Sequence, residues 1–301
     1  MKKILFTTVS LFVCSAFFGF KASAQDKANS QPEKTVPSRD DSWKLVWHDE
    51  FNEGDQPDWT VWNAENGFVR NEEYQWYQKE NAYILNGVLI LEARLDSIPN
   101  PRYREGSRDW RRNRPYARYS SASINTRNSY AFQYGQLEVR ARIPAVIGSW
   151  PAIWTLGKNM EWPSNGECDV MEYYHVDGKP TILANAAWGD DAQYHPIWNS
   201  TRTPYSHFLK KDPYWGENFH TWLMDWDEKH IAIYLDGELL NDIDLETTYN
   251  GSIGNYSNAF RHPHYILLDL AVGGINGGEP VDNAFPMRYE IDYVRVYQKQ
   301  K

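Results

Sequence analysis

Between Asn165 and Tyr174 the chain reads Asn-Gly-Glu-Cys-Asp-Val-Met-Glu-Tyr-Tyr, with carboxylates at Glu167, Asp169 and Glu172 set among the apolar Cys168, Val170 and Met171. The alternation predicts a strand with acids on one face. Two carboxyls facing a shared space can divide acid–base and nucleophilic work, one holding a proton for a leaving oxygen while the other, ionised, attacks carbon. The parity is off by one. Side chains in a strand alternate faces, so Glu167 and Asp169 point together and Glu172 points away, unless one extra residue, a β-bulge near Val170 or Met171, returns it. With the bulge, four effective steps separate the two glutamate Cα atoms by about 13 Å, and side chains leaning inward close much of that gap. Double displacement at a glycosidic carbon requires carboxyls about 5 to 5.5 Å apart, so the spacing points to sugar chemistry with retention of configuration.

What stands next to the acids agrees. Gly148-Ser149-Trp150-Pro151-Ala152-Ile153-Trp154 places two tryptophans four apart, on one face of the preceding strand. Flat indole faces suit sugar rings, and a dry aromatic wall raises the pKa of a carboxyl beside it. Fourteen Trp, twenty Tyr and twelve Phe make 15% of the chain aromatic, although a large β-domain also buries many aromatics as core. The formal charge of −9 argues against nucleic acid and anionic membrane as partners.

The elements that must position these groups are short strands. Lys44–His48, Ala82–Ala93 with Asn86-Gly87 as a hairpin turn, Tyr119–Thr126, Tyr134–Ile143, Ile231–Leu235 followed by Asp236-Gly237, and Tyr289–Gln298 all alternate. No long stretch of helical period interrupts them. The pattern predicts an all-β fold, a β-sandwich or jelly roll in one domain. Two stretches are expected as long loops: Pro99–Pro115, with Arg102, Arg104, Arg108, Arg111, Arg112 and Arg114, and Asp190–Glu217, rich in Pro, Trp and His. The first is either a solvated loop or a cleft-edge loop that touches substrate.

Residues 1–24 have the layout of a secretory signal, Lys2-Lys3 before an apolar run and Ala22-Ser23-Ala24 as the cleavage site. Residues 25–41 are polar and aperiodic and predict a flexible linker, leaving 42–301 as one domain. Export to the periplasm, cell surface or medium is the expectation; Cys14 invites a lipid anchor, but Val13 before it is bulkier than such sites want. The mature chain keeps only Cys168, so neither an intrachain disulfide nor a cysteine metal site is open to it. We expect a monomer without membrane insertion.

In these motifs the chain resembles glycoside hydrolase family 16, in its bulged E-x-D-x-x-E branch of laminarinases, related glucanases, agarases and endo-galactosidases. The resemblance runs through Trp47-His48-Asp49-Glu50-Phe51, Asn71-Glu72-Glu73-Tyr74-Gln75-Trp76-Tyr77, Trp150–Trp154, the acid motif, Phe219–Trp222 and Ile291–Tyr297. It implies that Glu167 is the nucleophile, Glu172 the general acid/base and Asp169 the residue between them that holds the nucleophile and separates their pKa values. It further implies a β-sandwich jelly roll of two curved antiparallel sheets with an open substrate cleft on the concave face, where Asn71, Trp150, Trp154 and Trp188 bind the poly- or oligosaccharide. No cofactor serves catalysis by this resemblance, but a structural calcium ion is implied at Asp292 with backbone oxygens of Glu50 and Gly87. His48, His175 and His220 are read as structural.

Three positions depart from the laminarinase pattern. Val69-Arg70-Asn71-Glu72-Glu73 stands for Trp-Gly-Asn-Asn-Glu, Ala187 for a histidine before the matched tryptophan, and Gly273-Gly274-Ile275-Asn276 for Gly-Gly-Asn-Trp. The resemblance implies an endo-acting enzyme on β-1,3- or mixed-linkage glucan. An axial hydroxyl, as in galactose, needs room that these smaller residues supply, so an endo-β-galactosidase on agar-like polymers or O-glycans is the alternative. A non-catalytic lectin would use the aromatics without needing the paired acids, and transglycosylation would share the covalent intermediate.

Overall fold

The computed structural model describes residues 38–300. Residues 1–24, read as a secretory signal, and residues 25–37 of the expected linker lie outside the described residues. The last part of the predicted linker is fastened down: Arg39 donates to Gln136 at 2.7 Å and Glu138 at 2.6 Å and lies 3.7 Å over the Tyr297 ring.

In chain order the strands are β1 (Trp43–Asp49), β2 (Asn63–Ala64), β3 (Gln75–Tyr77), β4 (Ala82–Leu85), β5 (Val88–Pro99), β6 (Tyr116–Ser121), β7 (Ser123–Asn125), β8 (Gly135–Arg142), β9 (Ser149–Gly157), β10 (Glu167–Val176), β11 (Lys179–Gly189), β12 (Pro196–Pro204), β13 (His220–Trp226), β14 (His230–Leu235), β15 (Glu238–Asp244), β16 (His264–Val272) and β17 (Met287–Lys299). They form two sheets. One has ten strands along the order β15-β14-β13-β8-β17-β5-β6-β3, with β1 on β17 and β4 on β5. The other has seven, β12-β11-β10-β9-β16-β7-β2. Among the described pairs only β3–β6 is parallel. The predicted all-β sandwich is therefore the fold.

Each expected strand is present, and the departures have local causes. Tyr119–Thr126 splits at Ala122, so β6 belongs to the larger sheet and β7 to the smaller. The Asn86-Gly87 turn has φ of 55° and 75°, the left-handed pair that a tight hairpin requires. Asp190–Glu217 is not one loop: β12 runs through it, followed by a short helix at Tyr205–Leu209. The Arg-rich stretch is largely the solvated loop, with Arg102, Arg104 and Arg108 exposed and none of its residues lining the cleft, but its C-terminal part is held. Arg111 donates to the Val69 carbonyl at 2.6 Å and Arg114 to the Glu73 carbonyl at 2.9 Å, and the Arg114 guanidinium sits 4.1 Å from the Phe68 ring. The loop thus clamps the turn 66–74 from behind, and that turn faces the cleft.

Alternation along the strands sets the core. Ile153, Val170, Tyr173, Ile182, Ala184, Leu268 and Leu270 turn inward from the smaller sheet against Leu91, Val139, Trp222, Met224, Tyr289 and Val294 of the larger, all buried. Burying side chains of this size contributes about 1.5–3 kcal/mol each relative to exposure. The outward face of the smaller sheet carries the cleft. Leu268→Ala should lower the unfolding free energy by about 2–5 kcal/mol, because Leu268 is fully buried between the sheets. Ile275→Ala, at a side chain 65% exposed, should change it by less than about 0.5 kcal/mol. Denaturant titration of both variants measures the contrast, and equal losses would contradict this placement of the core.

Candidate active site

The bulge is where the parity of the acids requires it. On β10, Asp169 pairs with Asn185 of β11 and Glu172 with Leu183, so two residues of β10 stand against one of β11. Toward β9, Asp169 pairs with Trp154 and Met171 with Ile153, which leaves Val170 as the extra residue. Val170 and Met171 both turn into the core, and Glu172 returns to the face of Glu167 and Asp169. All three acids line one cleft of about 720 Å³.

The register arranges the sheet face that carries the cleft in three rows across the strands. Tyr265, Leu156, Glu167, Ala187 and Trp198 form one; Leu267, Trp154, Asp169, Asn185 and Ser200 the next; Asp269, Ala152, Glu172, Leu183 and Arg202 the third. Directly paired residues of an antiparallel sheet share a face. The turn 66–74 adds Arg70, Asn71 and Glu73 to the wall, the segment before β10 adds Trp162, and Ile275 with Asn276 completes the lining.

Indole N–H groups hold the two outer acids. Trp162 Nε1 donates to Glu167 Oε2 at 2.8 Å, and Trp150 Nε1 to Glu172 Oε1 at 2.8 Å. Asn185 Nδ2 donates to Glu172 Oε2 at 2.9 Å and to Asp169 Oδ2 at 3.3 Å. Asp169 is within hydrogen-bonding reach of both glutamates. Burial first, then the charge of Glu172, pushes Glu167 up to about 7, against the Trp162 donor and the positive charge of Arg70. Burial pushes Glu172 up to about 7 as well, against the Trp150 donor and with the negative charge of Asp269. Burial and the two flanking glutamates raise Asp169 well above the ordinary carboxylate range. Three such carboxyls cannot all be ionised near neutrality and titrate as a unit.

A second layer of charge lies beside the rows. Asp269 accepts from Trp154 Nε1 at 2.6 Å and from the Tyr77 hydroxyl at 3.0 Å, and burial lifts it to about 6. Burial lifts Glu73 to about 8, with Gln75 Nε2 donating to it at 2.7 Å. Arg70 is paired with Glu65, which also takes the Ser123 hydroxyl, and its guanidinium stands 5.1 Å from the Trp154 ring.

The structure brings Glu167, Asp169, Glu172, Asn71, Trp150 and Trp154 to one cleft. It does not bring Trp188. Ala187 pairs with Glu167 and so takes the cleft face, which turns Trp188 inward, where it is buried in the core. Of the expected calcium donors, the Asp292 carboxylate is paired with Arg140. A hard cation wants six to eight oxygens, and that guanidinium would compete with it for the one side-chain ligand of the set. His220, read as structural, stacks on Trp215 at 3.8 Å and bonds Asp236. Sequence reasoning missed Trp162, Asn185, Asp269, Trp198 and Arg202. For Asn185 the signal was available, since it stands two residues from Ala187 on the same face.

A β-sandwich whose cleft holds paired, indole-bonded carboxyls has the layout of a two-carboxylate glycosidase site. The chain belongs to the glycosyl hydrolases family 16, whose profile matches residues 70–295. It is 31% identical over 96% of its length to glucan endo-1,3-beta-glucosidase A1 of Niallia circulans, but spans only 43% of that relative. To the beta-glucanase of Rhodothermus marinus it is 30% identical, over 99% of this chain and 96% of that one. A solved structure from work reporting that prominent members of the human gut microbiota express endo-acting O-glycanases to initiate mucin breakdown superposes with a TM-score of 0.75 at 35% identity, over 89% of this chain and 94% of that one.

An N–H that donates to a carboxylate favours its ionised form. Trp162→Phe should therefore raise the titration of Glu167, and Trp150→Phe that of Glu172, followed by 13C NMR of labelled glutamate carboxyls. A downward shift in either variant would contradict the hydrogen bonds.

Proposed function

We propose that the chain is an endo-acting, retaining β-glycoside hydrolase in which Glu167 is the nucleophile and Glu172 the general acid/base. The observation that carries this reading is the bulge at Val170, which brings both glutamates to one cleft face with Asp169 between them. In the first step Glu172 gives its proton to the leaving glycosidic oxygen while a Glu167 oxygen bonds the anomeric carbon and the C–O bond breaks. In the second, Glu172 takes a proton from water, the water oxygen bonds the anomeric carbon, and Glu167 leaves as carboxylate. The neighbours support this division. Arg70's positive charge favours the ionised form of Glu167 and Asp269's negative charge the protonated form of Glu172. Asp169 holds a proton between them and hands hydrogen bonding from one to the other as their charges change.

The main substrate reading is β-1,3- or mixed-linkage β-glucan, bound as a polymer across the strands of the smaller sheet by a monomeric enzyme. The relatives at 30–31% identity support it by what they act on. A second reading, endo-β-galactosidase action on galactans or O-glycans, is supported by the likeness to a structure from work on endo-acting O-glycanases, 35% identical over 89% of this chain. Residues 1–24 direct export, so the polymer is met outside the cytoplasm.

Glu167→Gln and Glu172→Gln should each lower kcat by about 10²–10⁴-fold, and NMR of the first product should show the β-anomer. Release of the α-anomer would remove the covalent mechanism. Laminarin, barley β-glucan, agarose, porphyran and mucin, with products read by mass spectrometry, decide between the substrate readings: cleavage of the first two only supports glucan, and of the last three only the alternative.

A further inference from the structure

β12 carries an alternation of cleft residues that the reaction does not use. Pro196, Trp198, Ser200 and Arg202 line the cleft from this edge strand. The register fixes where they stand. Trp198 ends the row of Glu167, and Arg202 the row of Glu172, each two strands from its acid, about 10 Å away at the usual strand spacing. A sugar lying across the strands at this end has an indole on the Glu167 side and a guanidinium on the Glu172 side.

The guanidinium is available. Of the two cations lining the cleft, Arg70 is taken by Glu65. Arg202 is exposed, and among the described residues it has neither a carboxylate within ion-pair distance nor a hydrogen-bond acceptor. Its charge reaches Tyr174, the next cleft residue on β10 beyond Glu172. Apart from Arg70 and Tyr174, the other titratable groups of the lining are acids, Glu73, Glu167, Asp169, Glu172 and Asp269, so Arg202 is the cation there that an anionic substituent could meet. A guanidinium presents a rigid fork of donors that matches the paired oxygens of a sulfate ester or carboxylate.

We propose that Arg202, with Trp198 across the groove from it, forms a subsite for a sugar bearing a sulfate ester or a carboxylate, so that the enzyme prefers polymers carrying an anionic substituent two strands from the cleavage point. The proposal rests on the glycosidase reading for its kinetic form but not for binding.

The test uses the full chain and three matched pairs: laminarin sulfate and laminarin, keratan sulfate and its desulfated polymer, sialylated and desialylated mucin. On the pair whose backbone is cleaved, wild type should favour the anionic member in kcat/KM at low salt, and the preference should shrink as salt rises. Arg202→Gln should abolish the preference through a KM increase of about tenfold or more on the anionic member, because a charge-assisted hydrogen bond is lost. Arg202→Lys should keep part of it. Preference for the sulfated pairs alone assigns the substituent as sulfate, and for the sialylated alone as carboxylate. Preference for the neutral member, or a loss in Arg202→Gln that is equal on both members, overturns the proposal. If no polymer is cleaved, the hydrolase reading falls, and quenching of tryptophan fluorescence on binding decides the subsite: anionic members should bind wild type more tightly than Arg202→Gln, and equal affinities reject it.

Discussion

Everything in this cleft follows from holding three carboxyls side by side on one strand with little water. Isolated, each would ionise well below neutrality; here burial and mutual repulsion push Glu167 and Glu172 up to about 7 and raise Asp169 well above its ordinary range. Such a group costs stability unless its oxygens are bonded. The surrounding sequence supplies those bonds: Trp162 and Trp150 for the outer acids, Asn185 for the inner edge. Tryptophan suits both purposes, because one ring gives a donor to the carboxylate and an apolar surface that keeps the site dry. The aromatic richness of the chain is in part a consequence of this requirement.

The second layer makes the two glutamates unlike. They sit at nearly the same value, yet by different balances. A cation, Arg70, bears on Glu167, and an anion, Asp269, on Glu172. Arg70 in turn depends on Glu65 and on a turn clamped by Arg111 and Arg114 from behind. The arginine loop, far from the acids in sequence and outside the cleft lining, thereby reaches the chemistry through backbone carbonyls at Val69 and Glu73.

How far this was legible in the sequence depended on whether a local rule governed the residue. Strand alternation and the Asn86-Gly87 and Asp236-Gly237 turns gave the sandwich. The mismatch of parity at Glu172 gave the bulge, because a buried face tolerates no slip of one residue. Trp188 was misplaced by matching a tryptophan to a role without asking which way its strand faced; its neighbour Ala187 pairs with Glu167, and that alone turns Trp188 inward. β12 went unseen because it is an edge strand, exposed or half-buried along its whole length, so no hydrophobic alternation marks it. Trp198 and Arg202 were missed with it. Asp269 comes from a strand buried throughout, where a lone carboxylate gives no periodic signal, and only the fold shows that it bears on Glu172.

The central claim is that Glu167 forms a covalent bond to sugar while Glu172 moves protons. A 2-deoxy-2-fluoro glycoside with an activated leaving group, matched to the polymer the enzyme cleaves, slows loss of the intermediate and lets it accumulate. Peptide mapping by mass spectrometry should then find one added glycosyl mass on the peptide containing the acid strand, with fragmentation placing it on Glu167. A label on Glu172 or Asp169, or turnover that leaves no labelled protein under conditions where the intermediate should persist, would contradict the account.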